Sequence, residues 1–205
     1  MADLESPVTR RDRRKLELQS RIIEAAEGLF EERGYDQTKV SEICERADIA
    51  YGTFFNHFPE KQDVLRALAD RSVQTVTERL EELAKQPGSI EELLISLFEG
   101  SAEAYDELGP MRRDLIGRIQ AISFAEAPEE SDRRFHGAFE AFLAEAAARD
   151  LVRSDVPIET LADILAGTFS SLSLSAVHFE DFPIRERSAA AARFLARSVA
   201  PRQGG

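Results

Sequence analysis

Cysteine is almost absent: Cys44 is the one thiol in 205 residues. An internal disulfide is therefore excluded, and a reducing cytoplasm is the expected compartment. Cys44 falls on an apolar helix stripe, so an inert packing thiol is expected rather than a redox sensor. Long apolar runs are missing too, since none reaches the ~18 residues of a membrane span. The opening MADLESPVTRRDRRK has no apolar core after its charges, so a secretory signal is not expected either. No Gly-rich phosphate loop, HExxH or ExxH pair, or nucleophile elbow occurs. That argues against an enzyme and leaves no catalytic residue to name. No metal or cofactor is expected: His57 has no Cys, His or carboxylate at ligand spacing, and His136 and His178 stand isolated on helices. Internal repeats and sustained strand-type alternation are also absent. Positive charge is scarce, with 26 Lys/Arg against 38 Asp/Glu and a net charge of −12. Taken whole, that balance argues mildly against a nucleic-acid partner.

What is present is helical. Hydrophobic residues make up 43% of the chain, enough for a real core. Apolar positions recur at helical spacing along its length, which predicts an all-α fold of about nine helices. Residues 1–15 lack apolar periodicity and read as a basic N-terminal arm. A first helix is expected from about Leu16 to Arg33, with Ile22, Ala26, Leu29 and Phe30 inward and Gly34 as its stop. Residues 16–61 form the predicted N-terminal domain. A long amphipathic helix from Lys61 carries Val64, Leu65, Leu68, Val73, Val76, Leu80 and Leu83. It leads out of that domain, its start reaching to about residue 77, into a second domain over 62–201.

The chain is organised around Thr38 to Lys61. Val40, Ile43, Cys44 and Ala47 give one buried stripe on a short helix, and Thr38 stands where a hydroxyl can cap it. Asp48 tolerates turn geometry. A second short helix from about Ala50 buries Ile49, Phe54 and Phe58, leaving Tyr51, Gly52, Thr53, Asn56 and His57 on its other sides. Pro59 ends it. Two short helices joined by a tight turn, the second with a polar face, are what a helix-turn-helix requires.

The residues Gly34-Tyr35, Thr38, Ile43, Ala47, Gly52 to Phe58 and Lys61, with the preceding Ile22 to Phe30, closely resemble the DNA-binding region of the tetracycline-repressor (TetR) family. The likeness covers roughly the first third of the chain. It implies an N-terminal three-helix helix-turn-helix domain, joined by a long helix to a C-terminal ligand-binding and dimerisation domain. It also implies DNA-contact roles. Thr38 and Lys61 would clamp phosphates at helix starts. Tyr51 and Gly52 would reach base edges, while Thr53, Asn56 and His57 would make mixed phosphate and groove contacts. Three positions depart from the family pattern. Tyr51 stands where Arg or Lys is common, so no bidentate bond to guanine can form there and a thymine methyl becomes the alternative. Phe55 replaces the usual Tyr and removes a phosphate-binding hydroxyl. Ala50 replaces a Ser cap.

Charge distribution reconciles the sequence with DNA. Between positions 10 and 21, Arg10, Arg11, Arg13, Arg14, Lys15 and Arg21 face only Asp12 and Glu17. Local charge decides phosphate contact. Arg11, Arg13 and Arg14 are expected in the DNA-binding set, although a merely solubilising arm is the other reading. Glu24, Glu27 and Glu31 recur opposite the apolar stripe of the first helix.

The C-terminal half carries apolar helices over Ser89–Leu108, opened by a Ser89–Glu92 capping box, and over 111–124, 131–149, 158–179 and 183–199. Phe98, Tyr105, Met111, Ile119, Phe124, Phe135, Phe139, Phe142, Phe169 and Leu172 are candidate pocket residues. By itself such a set marks a solid core; the resemblance turns it towards a pocket for an apolar or aromatic effector. Arg112, Arg113 and Arg118 are candidates for an acidic headgroup or for plain surface. Gly167, Ser171 and Ser175 make a flat track on one helix, and Ala189, Ala192, Phe194 and Ala196 lie on the next. Helices apolar on several faces bury more than one of them, so this pair is expected to be a homodimer surface. An ordinary core hairpin is the alternative. The functional expectation is a ligand-responsive DNA-binding regulator, a dimeric repressor of an inverted-repeat operator released by a small effector. A ligand-independent DNA-binding adaptor and a helical-bundle enzyme are the competitors.

Overall fold

The computed structural model describes residues 9–126 and 129–202, without the side chains at 124–126 and 130. Among the described residues there are nine α-helices and no strand. They divide into two compact units, one reaching Leu68 and the other beginning at Ala69.

The first unit holds α1 (Arg10–Arg33), α2 (Val40–Arg46), α3 (Tyr51–His57) and the first turns of α4 (Lys61–Ala84). α1 begins six residues earlier than its apolar stripe predicts. Thr9 and Asp12 form a capping box: the Asp12 amide donates to the Thr9 hydroxyl at 3.2 Å, and the Thr9 amide donates to the Asp12 carboxylate at 3.1 Å. The Thr9 hydroxyl, donating to the Asp12 carboxylate at 2.6 Å, and then the Thr9 amide hold that carboxyl below its ordinary range. The run Arg10–Lys15 is therefore helix, not an irregular arm. Two orphan amides find partners there, so no apolar stripe is needed to start the helix.

Below α1, the fully buried Ile22, Ala26, Phe30, Ile43, Phe54 and Val64 form the centre of a small core. Leu29, Cys44, Ala47, Phe58 and Leu68 complete it, and burial pushes the Cys44 thiol up. Tyr35 closes one end with its ring 5.1 Å from Phe30. Gly34, at φ 85°, ends α1 in a conformation that glycine adopts without strain.

The second unit holds the rest of α4, α5 (Ile90–Asp106), α6 (Pro110–Glu126), α7 (Glu129–Ala147), α8 (Ile158–His178) and α9 (Ile184–Val199). α5 is central and packs on both α8 and α9. Its Ser89 cap accepts the Glu92 amide at 3.2 Å, while the Glu92 carboxylate accepts the Ser89 amide at 2.8 Å. Leu93, Leu94, Leu97 and Phe98 meet Phe139, Phe142, Leu143, Leu165, Ala166, Ala192 and Leu195 in one core. Arg149, after α7, donates to the carbonyls of Ala84, Gln86 and Gly88 at 3.0–3.2 Å, closing the end of α4. α8 corrects the expectation of no membrane-length run, being long and apolar enough by length and composition to cross a membrane. Its Leu161, Ala162, Leu165 and Ala166 are instead buried within the unit.

Candidate nucleic-acid interface

The α2–turn–α3 segment is held as one piece by bonds that sequence spacing does not reveal. Asp48 takes φ 51° at the turn, where Asp is tolerated because its side chain bonds locally. The Ile49 amide donates to the Cys44 carbonyl at 3.0 Å. The Arg21 guanidinium on α1 reaches across to the Ala47 carbonyl at 2.5 Å, bracing the turn from behind. Arg46 makes a paired contact to Glu32 at 2.7 and 2.8 Å, and Arg33 meets Glu42 at 2.6 Å. Glu32 is correspondingly held below its ordinary range by the Arg46 guanidinium.

α3 is laid over this base with Phe54 and Phe58 inward. Tyr51 and Phe55 are 58% and 39% exposed on the outer side. Ala50, Gly52 and Asn56 are exposed, and Thr53 and His57 half-buried. The Nδ1 of His57 is sealed from solvent without a hydrogen-bond partner, so part of this ring packs rather than faces out. Ala50 is the N-cap of α3 and supplies no side-chain bond. Arg11, Arg13 and Arg14 are exposed near the start of α1, together with Arg10 and Lys15.

The two expected phosphate clamps turn their polar groups to the unit's own backbone. Thr38 is 2% exposed, and its hydroxyl donates to the Gly34 carbonyl at 2.8 Å and towards the Leu29 carbonyl at 3.3 Å. It closes the corner between α1 and α2, so its side chain does not cap α2. Lys39 is the N-cap instead, its amide donating to Glu42 at 2.8 Å. Lys61 directs its ammonium inward, donating to the Tyr35 and Thr38 carbonyls at 2.8 and 2.9 Å and lying 4.1 Å from the Tyr35 ring centre. Both residues spend their polar groups on backbone carbonyls at the α1–α2 corner. Lys39, exposed beside the start of α2, is a candidate that spacing alone does not single out; its place just ahead of the first motif helix is the available signal.

In the second unit, Phe98, Phe135, Phe139 and Phe169 touch one another at ring-centre distances of 5.2–6.4 Å. Phe142 and Ile119 are buried and Leu172 is half-buried. Met111 is 45% exposed and corrected from an interior position. The Phe124 side chain is not among those described. Tyr105, half-buried, packs beside Leu172, Ala102 and Ala176. Gln120 Nε2 donates to the Tyr105 hydroxyl at 3.4 Å, whereas Gln120 Oε1 is buried without a partner. Burial pushes the Tyr105 phenol up, against hydrogen bonds with Ser173 and Gln120. Gln120 is invisible to pattern reading because a single amide among apolar residues leaves no periodic mark. Of the three arginines, Arg113 donates to the Ala176 carbonyl at 3.0 Å and Arg118 pairs with Asp114 at 2.8 Å.

On the last two helices, Gly167 and Ser171 are exposed and Ser175 and Ala189 half-buried. Phe194 is 70% exposed and Ile164 52%. Ala192 and Ala196, at 0% and 2%, are corrected from a dimer surface. They face the unit's own core, where small side chains let α9 approach α5 closely.

This geometry defines the first unit as a helix-turn-helix module. Residues 22–68, which hold the helix-turn-helix, match the family of bacterial regulatory proteins known as tetR. The fatty acid metabolism regulator protein of Bacillus subtilis is 37% identical over 73 residues, 36% of this chain and 38% of that one. The chain thus spans under half the length of that relative. Thermus thermophilus FadR, a TetR-family transcriptional repressor in complex with lauroyl-CoA, superposes with a TM-score of 0.69 at 24% identity. The superposition covers 91% of this chain and 100% of that one. A TetR-family transcriptional regulator from Pectobacterium atrosepticum gives a TM-score of 0.76 at 20% identity over 94% and 97% of the two chains.

Proposed function

We propose that the protein is a ligand-responsive transcriptional repressor of the bacterial cytoplasm. It binds an inverted-repeat operator as a homodimer and is released by a small, largely apolar effector. The observation that carries this reading is the outward face of α3, with Tyr51, Gly52, Phe55 and Asn56 exposed on a helix whose preceding turn is braced from behind by Arg21. One such seven-residue helix reaches too few base pairs for useful specificity, and a twofold pair doubles the contacts on half-sites one helical turn, or a multiple, apart. Arg11, Arg13, Arg14 and Lys39 supply phosphate contacts in place of Thr38 and Lys61. The exposed track of Ile164, Gly167, Ser171 and Phe194 is the self-association surface, because large exposed apolar residues on neighbouring helices favour burial against a partner.

The effector reading rests on the family and on Gln120. A ligand carrying one hydrogen-bonding group on an apolar body would meet the unpaired Gln120 Oε1 beside Tyr105. Release requires the effector to prefer the conformer with wrongly spaced recognition helices by ~1–3 kcal/mol or more. One observation favours the adaptor reading: the four phenylalanines fill space against one another, which suits a solid core.

The test is selection of bound duplexes from random DNA by the full chain, followed by light scattering and addition of lauroyl-CoA. Palindromic fragments, a dimer that Phe194→Glu dissociates, and release by the acyl ligand support the proposal. A monomer with no preference over bulk DNA overturns it. Operator binding unaffected by lauroyl-CoA or by a wider metabolite screen selects the adaptor.

A further inference from the structure

The recognition helix carries no Lys or Arg: α3 reads Tyr51-Gly-Thr-Phe-Phe-Asn-His57. What it exposes instead is a pair of aromatic rings. Tyr51 and Phe55 stand four residues apart on one side of the helix, with ring centres 5.1 Å apart at 61°. They are not loose surface groups. Phe55 leans edge-on against the fully buried Phe54 at 5.3 Å, and Phe54 contacts Phe58 at 5.9 Å. Each outer ring is thereby tied through a chain of ring contacts to the core of the unit. A side chain held in place before binding loses little freedom on contact.

The chemistry of that surface limits what it can recognise. With no cation on α3, the paired contact to guanine N7 and O6 cannot be made, and a phenylalanine ring offers no hydrogen bond to any base edge. In the major groove, the group that rewards an apolar ring is the thymine 5-methyl. Consecutive base pairs lie ~3.4 Å apart along the duplex, so two rings 5.1 Å apart are spaced to cover methyls on neighbouring pairs once helical twist is added. We infer that Tyr51 and Phe55 together form a rigid apolar reading head that selects adjacent A·T pairs in each half-site through their thymine methyls. The inference rests on the proposed DNA-binding function and deepens it. Asn56, exposed on the next position, is left for adenine or phosphate.

Replacing thymine by uracil removes the methyl and leaves every hydrogen-bonding group of the pair unchanged, so it isolates the methyl's contribution. The experiment uses the full chain and a duplex recovered by selection from random DNA, resynthesised with deoxyuridine at each thymine in turn. Loss of a buried methyl is expected to weaken binding about fourfold at each of two adjacent positions, and roughly fifteenfold for both in one half-site. Y51A combined with F55A should bind thymine and uracil duplexes alike while keeping the salt dependence of binding. Both side chains are exposed, and an unchanged thermal unfolding profile confirms that the variant is folded. Equal binding of thymine and uracil duplexes by the wild type overturns the inference while leaving the DNA-binding function intact, and so does discrimination that persists in Y51A/F55A. Recovery of no preferred duplex defeats the DNA-binding function itself.

Discussion

Lys61→Met separates two accounts of the same residue. In one, the ammonium holds a phosphate; in the other, it holds the protein. Its hydrogen bonds to the Tyr35 and Thr38 carbonyls measure 2.8 and 2.9 Å, and it sits 4.1 Å from the Tyr35 ring centre. Each charged hydrogen bond contributes ~1.5–3 kcal/mol. Lys61 is only half-buried, so the low end applies and the pair is worth about 2–3 kcal/mol. The ring contact adds about 0.5–1 kcal/mol. Methionine keeps most of the stem's packing and removes both contributions, giving about 3 kcal/mol, or roughly a hundredfold more opening of the first unit. Hydrogen exchange followed by mass spectrometry on the full chain reads this directly: amides of α2 and α3 should lose about two decades of protection, while those of α5 and α8 stay unchanged. Thr38→Val, which deletes a buried hydroxyl bonded to the Gly34 and Leu29 carbonyls, should act on the same amides by about 1–2 kcal/mol. Unaltered protection in Lys61→Met, together with weaker DNA binding and a shallower salt slope, would refute this reasoning and restore the phosphate clamp.

Three further outcomes are expected. Ala50→Ser gives α3 the side-chain cap it lacks and should stabilise the first unit by about 0.5–2 kcal/mol, seen as slower exchange at Gly52 and Thr53; faster exchange there would contradict the cap geometry. Changing Arg11, Arg13 and Arg14 together to Gln should flatten the salt dependence of operator binding, by up to roughly 0.9 for every phosphate no longer neutralised; an unchanged slope removes the start of α1 from the interface. Asp155 is held at about 2, below its ordinary 3.8, by the Arg153 guanidinium at 2.6 and 2.7 Å and by Arg202. A depressed carboxyl stabilises the fold above its unfolded value, so the advantage of wild type over Asp155→Asn should hold above about pH 4 and fade as pH drops from 3.8 towards 2. A pH-independent difference in denaturant midpoint would rule out the ion pair as its cause.

The helix-turn-helix is legible in the sequence because its signals are local: Ile43 and Ala47 on one short stripe, Phe54 and Phe58 on the next, Asp48 between them. The roles of Thr38 and Lys61 are not, because each is decided by carbonyls that only the folded α1–α2 corner brings within reach. Lys61 meets a carbonyl 26 residues away. Helix starts differ in legibility for a related reason. The Ser89–Glu92 box stands beside an apolar run that announces it, whereas Thr9–Asp12 opens onto arginines that look like an irregular arm. Small residues are ambiguous in another way. Ala192 and Ala196 permit a close helix approach, but spacing alone cannot say whether the neighbour is α5 of the same chain or a helix of another. The expected pocket is the least legible part, since Phe98, Phe135, Phe139 and Phe169 give the same pattern whether they line a space or fill it.

The solitary thiol of Cys44 is 5% exposed, beneath the two motif helices. Since the sequence holds no second cysteine, any reagent that consumes thiols keeps time on one event only, the parting of those helices from α1. A colorimetric disulfide reagent in unmodified protein would thus clock how often the reading head comes loose, and whether a bound duplex stops the clock.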